Sequence, residues 1–226
     1  MTNSDKLNTD GEPISILADV GSGRAFITII DDDRCAPLAN AVAQRLGSRA
    51  RSILVKSAPV TDRNWGELTE QVAATLARLQ IRQVSVVGIG AGATLAQNLA
   101  LTSPKTVRSL AIIDASSRPH PKWWERYIDW LEERLPFGLP LRLGSVGFNS
   151  KAYLHRLRCP SLAITTTDAS SFVREELKAL AAKAPTAWGV ELRGSSAEQI
   201  EELTSALLAF QDTPAKCPQK NLKEAV

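Results

Sequence analysis

Glycines at residues 88–92 follow a run of β-branched residues, and this segment points most directly to chemistry. Apolar and small residues then recur at helical spacing, so a buried strand, a tight turn and a helix start are predicted. Such a turn can bring a pyrophosphate close to the N-terminus of a helix. Gly88, Gly90 and Ala93 fit the dinucleotide-binding pattern G-x-G-x-x-A, with NAD(P) as the cofactor it would hold.

The same turn fits a second chemistry, in which Gly-x-Ser-x-Gly presents a nucleophilic hydroxyl on a sharp bend. Gly90 stands where that serine would be. Asp114 ends the next predicted strand, roughly where a ribose-binding acid would sit in the dinucleotide interpretation. The turn, however, follows about three predicted strands, whereas a nucleotide-binding half normally begins its own βαβ unit. The second interpretation is therefore favoured.

The composition is that of an ordinary globular domain. The chain has 226 residues, of which 44% are hydrophobic and 23% charged, and its net charge is +3. Basic and acidic residues alternate, so nucleic-acid binding is not expected, and no apolar run approaches the ~20 residues of a membrane span. Cys35, Cys159 and Cys217 have neither metal nor disulfide spacing. We expect no metal or cofactor, a cytoplasmic location and, as an open possibility, a homo-oligomer.

Strand-like and helical segments alternate along the chain. Strands are predicted at residues 14–18, 26–30, 52–55, 84–87, 109–113, 161–165 and 189–192, and helices at 38–46, 67–79, 92–101, 174–182 and 197–210. This order predicts an α/β protein with a mostly parallel sheet covered on both faces. Gly21-Ser22-Gly23 predicts a hairpin between the first two strands. Residues 1–12 and 213–226 are predicted to be disordered tails around a single domain at 13–212.

The element order and three motifs together resemble the α/β-hydrolase fold. The first motif is the glycine turn at residue 90. The second is the proline-led turn at 102–108 before a strand that ends in Asp114, and the third is Arg158-Cys159-Pro160 before another strand. The resemblance spans residues 14–210. It implies a nucleophile elbow at Gly90 and a short helical cap insert at about 117–158.

The resemblance implies a catalytic serine, histidine and acid, and the matching positions here form a degenerate triad. Gly90 replaces the serine, and glycine removes the ~1–3 kcal/mol of strain that another residue would carry at such a bend. Ser195 stands where the histidine is expected, and Asp168 matches the acid. Both histidines, His120 and His155, fall in or beside the cap insert. Serine-hydrolase activity is therefore not expected.

The loop that normally supports the oxyanion is altered as well. Asp31, Asp32 and Asp33 replace the His-Gly that the family usually carries there, and carboxylates would oppose a developing oxyanion. The backbone N–H of Ala91 is one donor that remains. Asp32 or Asp33 is expected to cap the helix that begins near Pro37. Alternatives are that one of these acids is a general base or that the three hold a cation.

The cap insert is rich in aromatic residues. On a helix from about residue 121 to 135, Trp124 belongs to one apolar stripe, while Trp123, Tyr127 and Trp130 form an adjacent one. One stripe accounts for packing of the cap on the sheet. The second predicts a pocket for an apolar small molecule, or a surface for a protein partner.

These observations predict an α/β-hydrolase-fold pseudoenzyme that binds an apolar small molecule or a protein partner through the cap. The alternative is an enzyme of hydrolase or lyase/isomerase type, in which Asp31, Asp32, Asp33 or Asp168 acts in the emptied pocket. The third hypothesis is an NAD(P)-binding protein that uses Gly88 and Gly90.

Overall fold

The computed structural model describes residues 13–61, 64–115 and 154–211. Strands and helices alternate there as the sequence predicts. The strands are β1 (Ile14–Val20), β2 (Ala25–Ile30), β3 (Arg51–Ser57), β4 (Val84–Ile89), β5 (Val107–Ile113), β6 (Ser161–Thr165) and β7 (Ala187–Glu191). The helices are α1 (Ala36–Gly47), α2 (Trp65–Arg78), α3 (Gly92–Thr102), α4 (Ser171–Lys183) and α5 (Ser196–Gln211). One-turn 3-10 helices occupy Asp33–Cys35 and Leu154–Arg156.

The seven strands form one sheet in the order β1-β3-β2-β4-β5-β6-β7. Every neighbouring pair is parallel except β1 and β3, which are antiparallel. The mostly parallel sheet with flanking helices confirms the predicted fold class.

The predicted hairpin between the first two strands is wrong, because β3 lies between β1 and β2. Gly21 and Gly23 do have positive φ angles, of 82° and 97°, so the chain turns there. The turn, however, packs directly on the loop between α1 and β3, where a Cβ on Gly21 would lie 2.1 Å from the Ala50 carbonyl oxygen. This close packing places β1 beside β3, and an Arg51–Asp19 ion pair of 2.7 Å joins the two strands.

Alternate residues of the central strands supply two hydrophobic clusters, one on each face of the sheet. Ile27 and Ile29 of β2 pack in the cluster that includes residues of α2, α3 and α4, whereas Phe26 and Ile30 pack in the cluster that includes residues of α1 and α5. The period of two residues in a strand produces this division. Both faces of the sheet are therefore covered by helices. A binding or catalytic site is accordingly expected where the strands end.

The carboxyl ends of the parallel strands lie side by side at one edge of the sheet. Asp31 follows β2, Gly90 follows β4, Asp114 follows β5 and Thr166 follows β6, and these strands are consecutive in the sheet. In open α/β sheets ligands bind in the crevice outside such strand ends. This edge therefore contains the candidate site. Within the described ranges, no helix is both long and apolar enough to span a membrane.

Candidate functional site

The bend between β4 and α3 is centred on Gly90, whose φ is +59°. Its amide donates to the Ile113 carbonyl oxygen at 3.2 Å, which fastens the bend to the end of β5. A Cβ at this position would lie 3.1 Å from the Cys35 Sγ and 3.9 Å from the Asp31 Oδ1. A side chain on residue 90 would therefore point toward these two groups. Glycine leaves that space to the thiol and the carboxylate.

The glycines on either side of the bend allow close packing between α3 and the sheet. A Cβ on Gly88 would lie 2.4 Å from the Cα of Ala93, and one on Gly92 would lie 2.4 Å from the Ile29 carbonyl oxygen. Both contacts are with backbone atoms, which cannot move aside cheaply. The Gly-x-Gly-x-Gly spacing is thus explained by the approach of α3 to β4 and β2, without a pyrophosphate.

Asp31 lies at the start of α3. Its Oδ1 lies 3.9 Å from where a Cβ on residue 90 would be, and its carboxylate lies near the backbone amides of Gly92 and Val60. Burial raises the pKa of the Asp31 carboxyl above its ordinary value, and the neighbouring Asp32 charge adds to this shift, whereas nearby backbone amides, above all its own, oppose it. A carboxylate of the chain itself therefore lies close to the start of α3, where backbone N–H groups attract anions.

The other two acids of the cluster point elsewhere. Asp32 caps the 3-10 helix before α1, and its carboxylate accepts from the Arg34 amide at 2.9 Å and from the Arg34 Nε at 2.6 Å. These hydrogen bonds lower the pKa of Asp32. The exposed Asp33 accepts from the Lys56 Nζ at 2.6 Å. Of the three carboxylates, only Asp31 approaches Gly90, and no group of three or more potential metal-ligating side chains is found among the described residues.

Cys35 is half-buried and faces residue 90. Burial raises the pKa of its thiol, and the negative charges of Asp31 and Asp32 raise it further. Because the thiolate is the nucleophilic form, this environment keeps Cys35 protonated and unreactive. Its side chain fills space beside the bend.

Asp114 is held by the loop that follows β6. Its φ is +47°, and its carboxylate accepts from the Thr166 amide at 2.8 Å and from the Thr166 Oγ1 at 2.5 Å. A left-handed conformation in a residue other than glycine persists when its surroundings hold it. The two hydrogen bonds supply that support. They also occupy the carboxylate that the dinucleotide interpretation would assign to a ribose.

Ser195 stabilises the start of α5. Its amide and its Oγ each donate to the Glu198 Oε2 at 2.8 Å, an N-terminal arrangement of the capping type, and these bonds lower the pKa of Glu198. Gln199 donates to both the Thr167 Oγ1 and the Gly194 carbonyl oxygen at 2.8 Å. The side-chain amide of Gln199 thus joins the loop before α5 to the loop that contains Asp168.

The remaining predicted positions are exposed or lie outside the described residues. Asp168 is exposed, and His155 is exposed on the 3-10 helix before β6. Ala91 is the exposed N-cap residue of α3. The predicted cap residues Trp123, Trp124, Tyr127 and Trp130, together with His120, lie outside the described residues.

Sequence reasoning did not find two residues that hold this region together. Thr166 gave no signal, because a threonine after a strand has many ordinary uses. Gln199 could have been noticed only as a glutamine in the first turn of a helix. Their importance comes from distant partners, Asp114 and Thr167, which the fold brings near.

The fold is shared with solved hydrolase structures. The chain is similar to a hydrolase from Pseudomonas aeruginosa PA01, with 18% identity, coverage of 88% of this chain and 94% of that one, and a TM-score of 0.66. It is similar to a thermophilic esterase from Thermogutta terrifontis, with 18% identity, coverage of 87% and 93%, and a TM-score of 0.66. An enol-lactonase from Burkholderia xenovorans LB400 matches with 16% identity, coverage of 88% and 97%, and a TM-score of 0.65.

Similarity at the level of sequence is local. A segment of 71 residues is 37% identical to Protein NDRG3 of Xenopus tropicalis, and it covers 31% of this chain and 17% of that protein. The corresponding protein of Xenopus laevis is 35% identical over 71 residues, which cover 18% of its length. The match thus spans less than a fifth of these relatives. No protein-family model matches the chain.

Taken with the sheet order and the bend after β4, these similarities establish that the chain has the α/β-hydrolase fold. At the bend of that fold it carries glycine, with φ +59°.

Proposed function

We propose that this protein is an α/β-hydrolase-fold pseudoenzyme, without serine-hydrolase activity, that binds an apolar small molecule or a protein partner through its cap region. The observation that carries the first part is residue 90. At the bend after β4 the chain has no side chain, and the groups nearest to where one would begin are a protonated thiol and a carboxylate. Neither has a histidine partner among the described residues.

Two further placements support the loss of hydrolysis. Ser195, at the position expected for the base, hydrogen-bonds Glu198 and stabilises the start of α5. The Asp31 carboxylate also places a negative charge near the bend, with its Oδ1 3.9 Å from where a Cβ on residue 90 would be. A negative group beside the bend would destabilise the oxyanion of ester hydrolysis, which hydrolases stabilise with donors.

Ester hydrolysis can be tested directly with the purified full chain. A panel of p-nitrophenyl esters of increasing acyl length is followed by absorbance, with a fluorophosphonate probe to label any reactive serine. The variants Asp168→Ala and Asp32→Ala serve as controls for a rearranged site. We expect no turnover above that of the heat-denatured protein and no probe labelling. Turnover that disappears in either variant would overturn the proposal.

The binding part of the proposal comes from the aromatic composition of the insert at 117–158, where Trp123, Tyr127 and Trp130 are spaced for one helix face. Native mass spectrometry of the freshly purified protein tests it, since a bound apolar molecule adds a discrete mass. A titration with an apolar fluorescent probe then compares the wild type with Trp130→Ala. We expect at least a tenfold weaker probe affinity, or loss of a co-purified partner, in the variant. Equal binding by both proteins would remove the cap surface from the proposal.

A second candidate function is an enzyme that uses a carboxylate for proton transfer without a covalent intermediate, in an elimination or isomerisation. The observation that favours it is the Asp31 carboxyl, which is half-buried, lies at the bend and has a raised pKa. These are features of a general base.

Matched variants separate this candidate from the first. Asp31→Asn removes the carboxylate at the bend, whereas Asp32→Asn and Asp33→Asn remove neighbouring carboxylates that bind Arg34 and Lys56. If a carbonyl substrate screen yields proton exchange, we expect its rate to fall at least a hundredfold in Asp31→Asn and to remain within a fewfold in the other two. Equal rates in all four proteins would exclude Asp31 as the base.

The NAD(P)-binding hypothesis has the weakest support, because Gly88 and Gly92 are accounted for by packing and Asp31 lies at the start of α3. Fluorescence titration with NADH tests it. We expect no saturable binding at millimolar concentrations, and saturable binding that is lost in Gly90→Ala would restore the hypothesis.

A further inference from the structure

The amino ends of the parallel strands form the edge of the sheet opposite the bend at Gly90. The segments that lead into β2, β3, β4, β5 and β6, or begin them, are residues 21–24, 48–51, 79–83, 103–108 and 154–160. Together they contain no aspartate or glutamate and eight arginine or lysine residues: Arg24, Arg49, Arg51, Arg82, Lys105, Arg108, Arg156 and Arg158. We call this surface the basic edge.

The fold places these segments side by side. Strands β3, β2, β4, β5 and β6 are consecutive in the sheet. The Arg51 amide donates to the Arg24 carbonyl oxygen at 3.0 Å, and the Val84 amide donates to the Thr106 carbonyl oxygen at 2.9 Å. Because neighbouring strands lie about 4.8 Å apart, the basic edge is about 19 Å long. Basic and acidic residues alternate along the chain, but the sheet gathers residues of one charge at this edge.

Most of the side chains of the basic edge are exposed. Arg51 is half-buried and pairs with Asp19 at 2.7 Å, whereas the other seven residues are exposed. Within the ranges that the structure describes, five of them form no ion pair: Arg49, Arg82, Lys105, Arg108 and Arg158. These five cations can therefore bind an external anion without breaking an ion pair of the described fold.

The ends of the helices do not neutralise the basic edge. Helices α1, α2, α3 and α4 each end shortly before a strand, so their C-termini lie at the same edge of the sheet. A helix C-terminus carries about half a negative charge, which amounts to about two charges for the four helices. The eight basic side chains exceed this charge, and the edge remains positive.

We propose that the basic edge is a docking surface for an acidic segment of a protein partner, bound in an extended conformation along the ends of the strands. Seven of the eight residues are arginines, and a guanidinium group can bind a carboxylate through two parallel hydrogen bonds. An extended segment rises about 3.3 Å per residue, so about six residues would span the edge.

Two observations favour carboxylate side chains over a single-stranded nucleic acid. The five segments contain no phenylalanine, tyrosine or tryptophan, whereas single strands are bound on aromatic side chains that stack with the bases. An open cavity of about 480 Å³ also lies at this edge, lined by Ala77, Gln80, Ile81 and Arg82. The cavity can receive one acidic side chain beside the Arg82 guanidinium.

Fluorescence anisotropy with the full chain tests the proposal. The probe is a labelled peptide of alternating glutamate and aspartate, about eight residues long, so that it spans the edge. A peptide of alternating glutamine and asparagine is the uncharged control. The titrations are made in about 100 mM NaCl, where exposed charges more than about 10 Å apart are largely screened and local contacts dominate. We expect saturable binding of the acidic peptide and none of the control peptide.

Charge reversal locates the binding surface. We expect the double variant Arg82→Glu/Arg108→Glu to bind the acidic peptide at least about tenfold more weakly than the wild type. The matched control is Lys178→Glu/Arg193→Glu, which reverses two exposed cations on α4 and after β7 and changes the net charge equally. Its affinity should stay within about twofold of the wild type, because exposed charges away from the contact contribute little.

Three results would overturn the proposal: no saturable binding of the acidic peptide, equal weakening in both double variants, or tighter binding of a DNA duplex than of the peptide at the same salt concentration. Lys105→Glu/Arg158→Glu, in two other segments of the basic edge, should weaken binding like the first pair and serves if that pair does not fold. The basic edge includes neither the bend at Gly90 nor the aromatic residues of the cap, so these results do not depend on the function proposed above.

Discussion

Replacement of Gly90 by alanine measures the strain that glycine relieves at the bend. The φ of +59° costs an L-residue with a Cβ about 1–2 kcal/mol. The new Cβ would also lie 3.1 Å from the Cys35 Sγ, closer than an ordinary contact, and such crowding costs about 1 kcal/mol. We therefore expect Gly90→Ala to lower the free energy of unfolding by about 2 kcal/mol.

Urea unfolding and thermal melting can both detect this change. For a chain of this size a loss of that magnitude lowers the melting temperature by about 4–8 °C. Combining the substitution with Cys35→Ala separates the two contributions, because the smaller side chain removes the crowding and leaves the backbone cost. We expect the cost of Gly90→Ala to be about 1 kcal/mol smaller in the Cys35→Ala background.

The result that would refute this reasoning is a Gly90→Ala protein as stable as the wild type. Residue 90 would then not occupy a left-handed bend, and the assignment of the elbow to this position would fail. If Gly90→Ala instead lowers the free energy of unfolding by the same amount in the wild-type and Cys35→Ala backgrounds, the thiol does not face residue 90.

Three further predictions concern the elements around the site. In urea unfolding, Gly88→Ala should lower the free energy of unfolding by about 3 kcal/mol, because its Cβ would lie 2.4 Å from a backbone atom of α3. Gly66→Ala should raise it by about 0.5–1 kcal/mol, because Gly66 lies on α2 with open space around it. Thr166→Val should lower the free energy of unfolding by about 1.5 kcal/mol, since it removes the hydroxyl that donates to the Asp114 carboxylate. An unchanged urea midpoint would show that this hydrogen bond contributes nothing to stability. The pKa of Glu198 in the folded state is lowered from 4.5. The stabilisation that its ionised carboxylate provides is therefore present above pH 4.5 and is lost as the pH falls through the folded-state pKa. The melting-temperature advantage of the wild type over Ser195→Ala should therefore be larger at pH 7 than at pH 3, and a constant difference would contradict this.

Most of the fold could be predicted from local patterns. The sequence predicts strand β6 with its observed bounds and the other elements within three residues, because continuous apolar runs and helical spacing reflect burial on both faces of the sheet. The pairing of β1 could not be predicted in this way. Gly21 and Gly23 signal a turn, but the partner of β1 depends on packing against the loop at Ala50.

The candidate site was predictable in part. The bend at Gly90 and the expected capping role at Asp32 follow from residue types near each other in sequence. Ser195 is singled out only by the resemblance, although its bond to Glu198, three residues later, belongs to the local capping pattern.

The amino-acid sequence by itself determined that residue 90 has no side chain, because the type of a residue is a property of the chain and no fold can add a hydroxyl to glycine. Only the tertiary structure decided which of three consecutive aspartates turns toward that bend. Asp31 is adjacent in sequence to Asp32, yet its carboxylate lies beside Gly90, because β2 and β4 are neighbours in the sheet and α3 begins against the end of β2. Contacts of that kind depend on how strands are ordered, and that order arises from the packing of the whole domain.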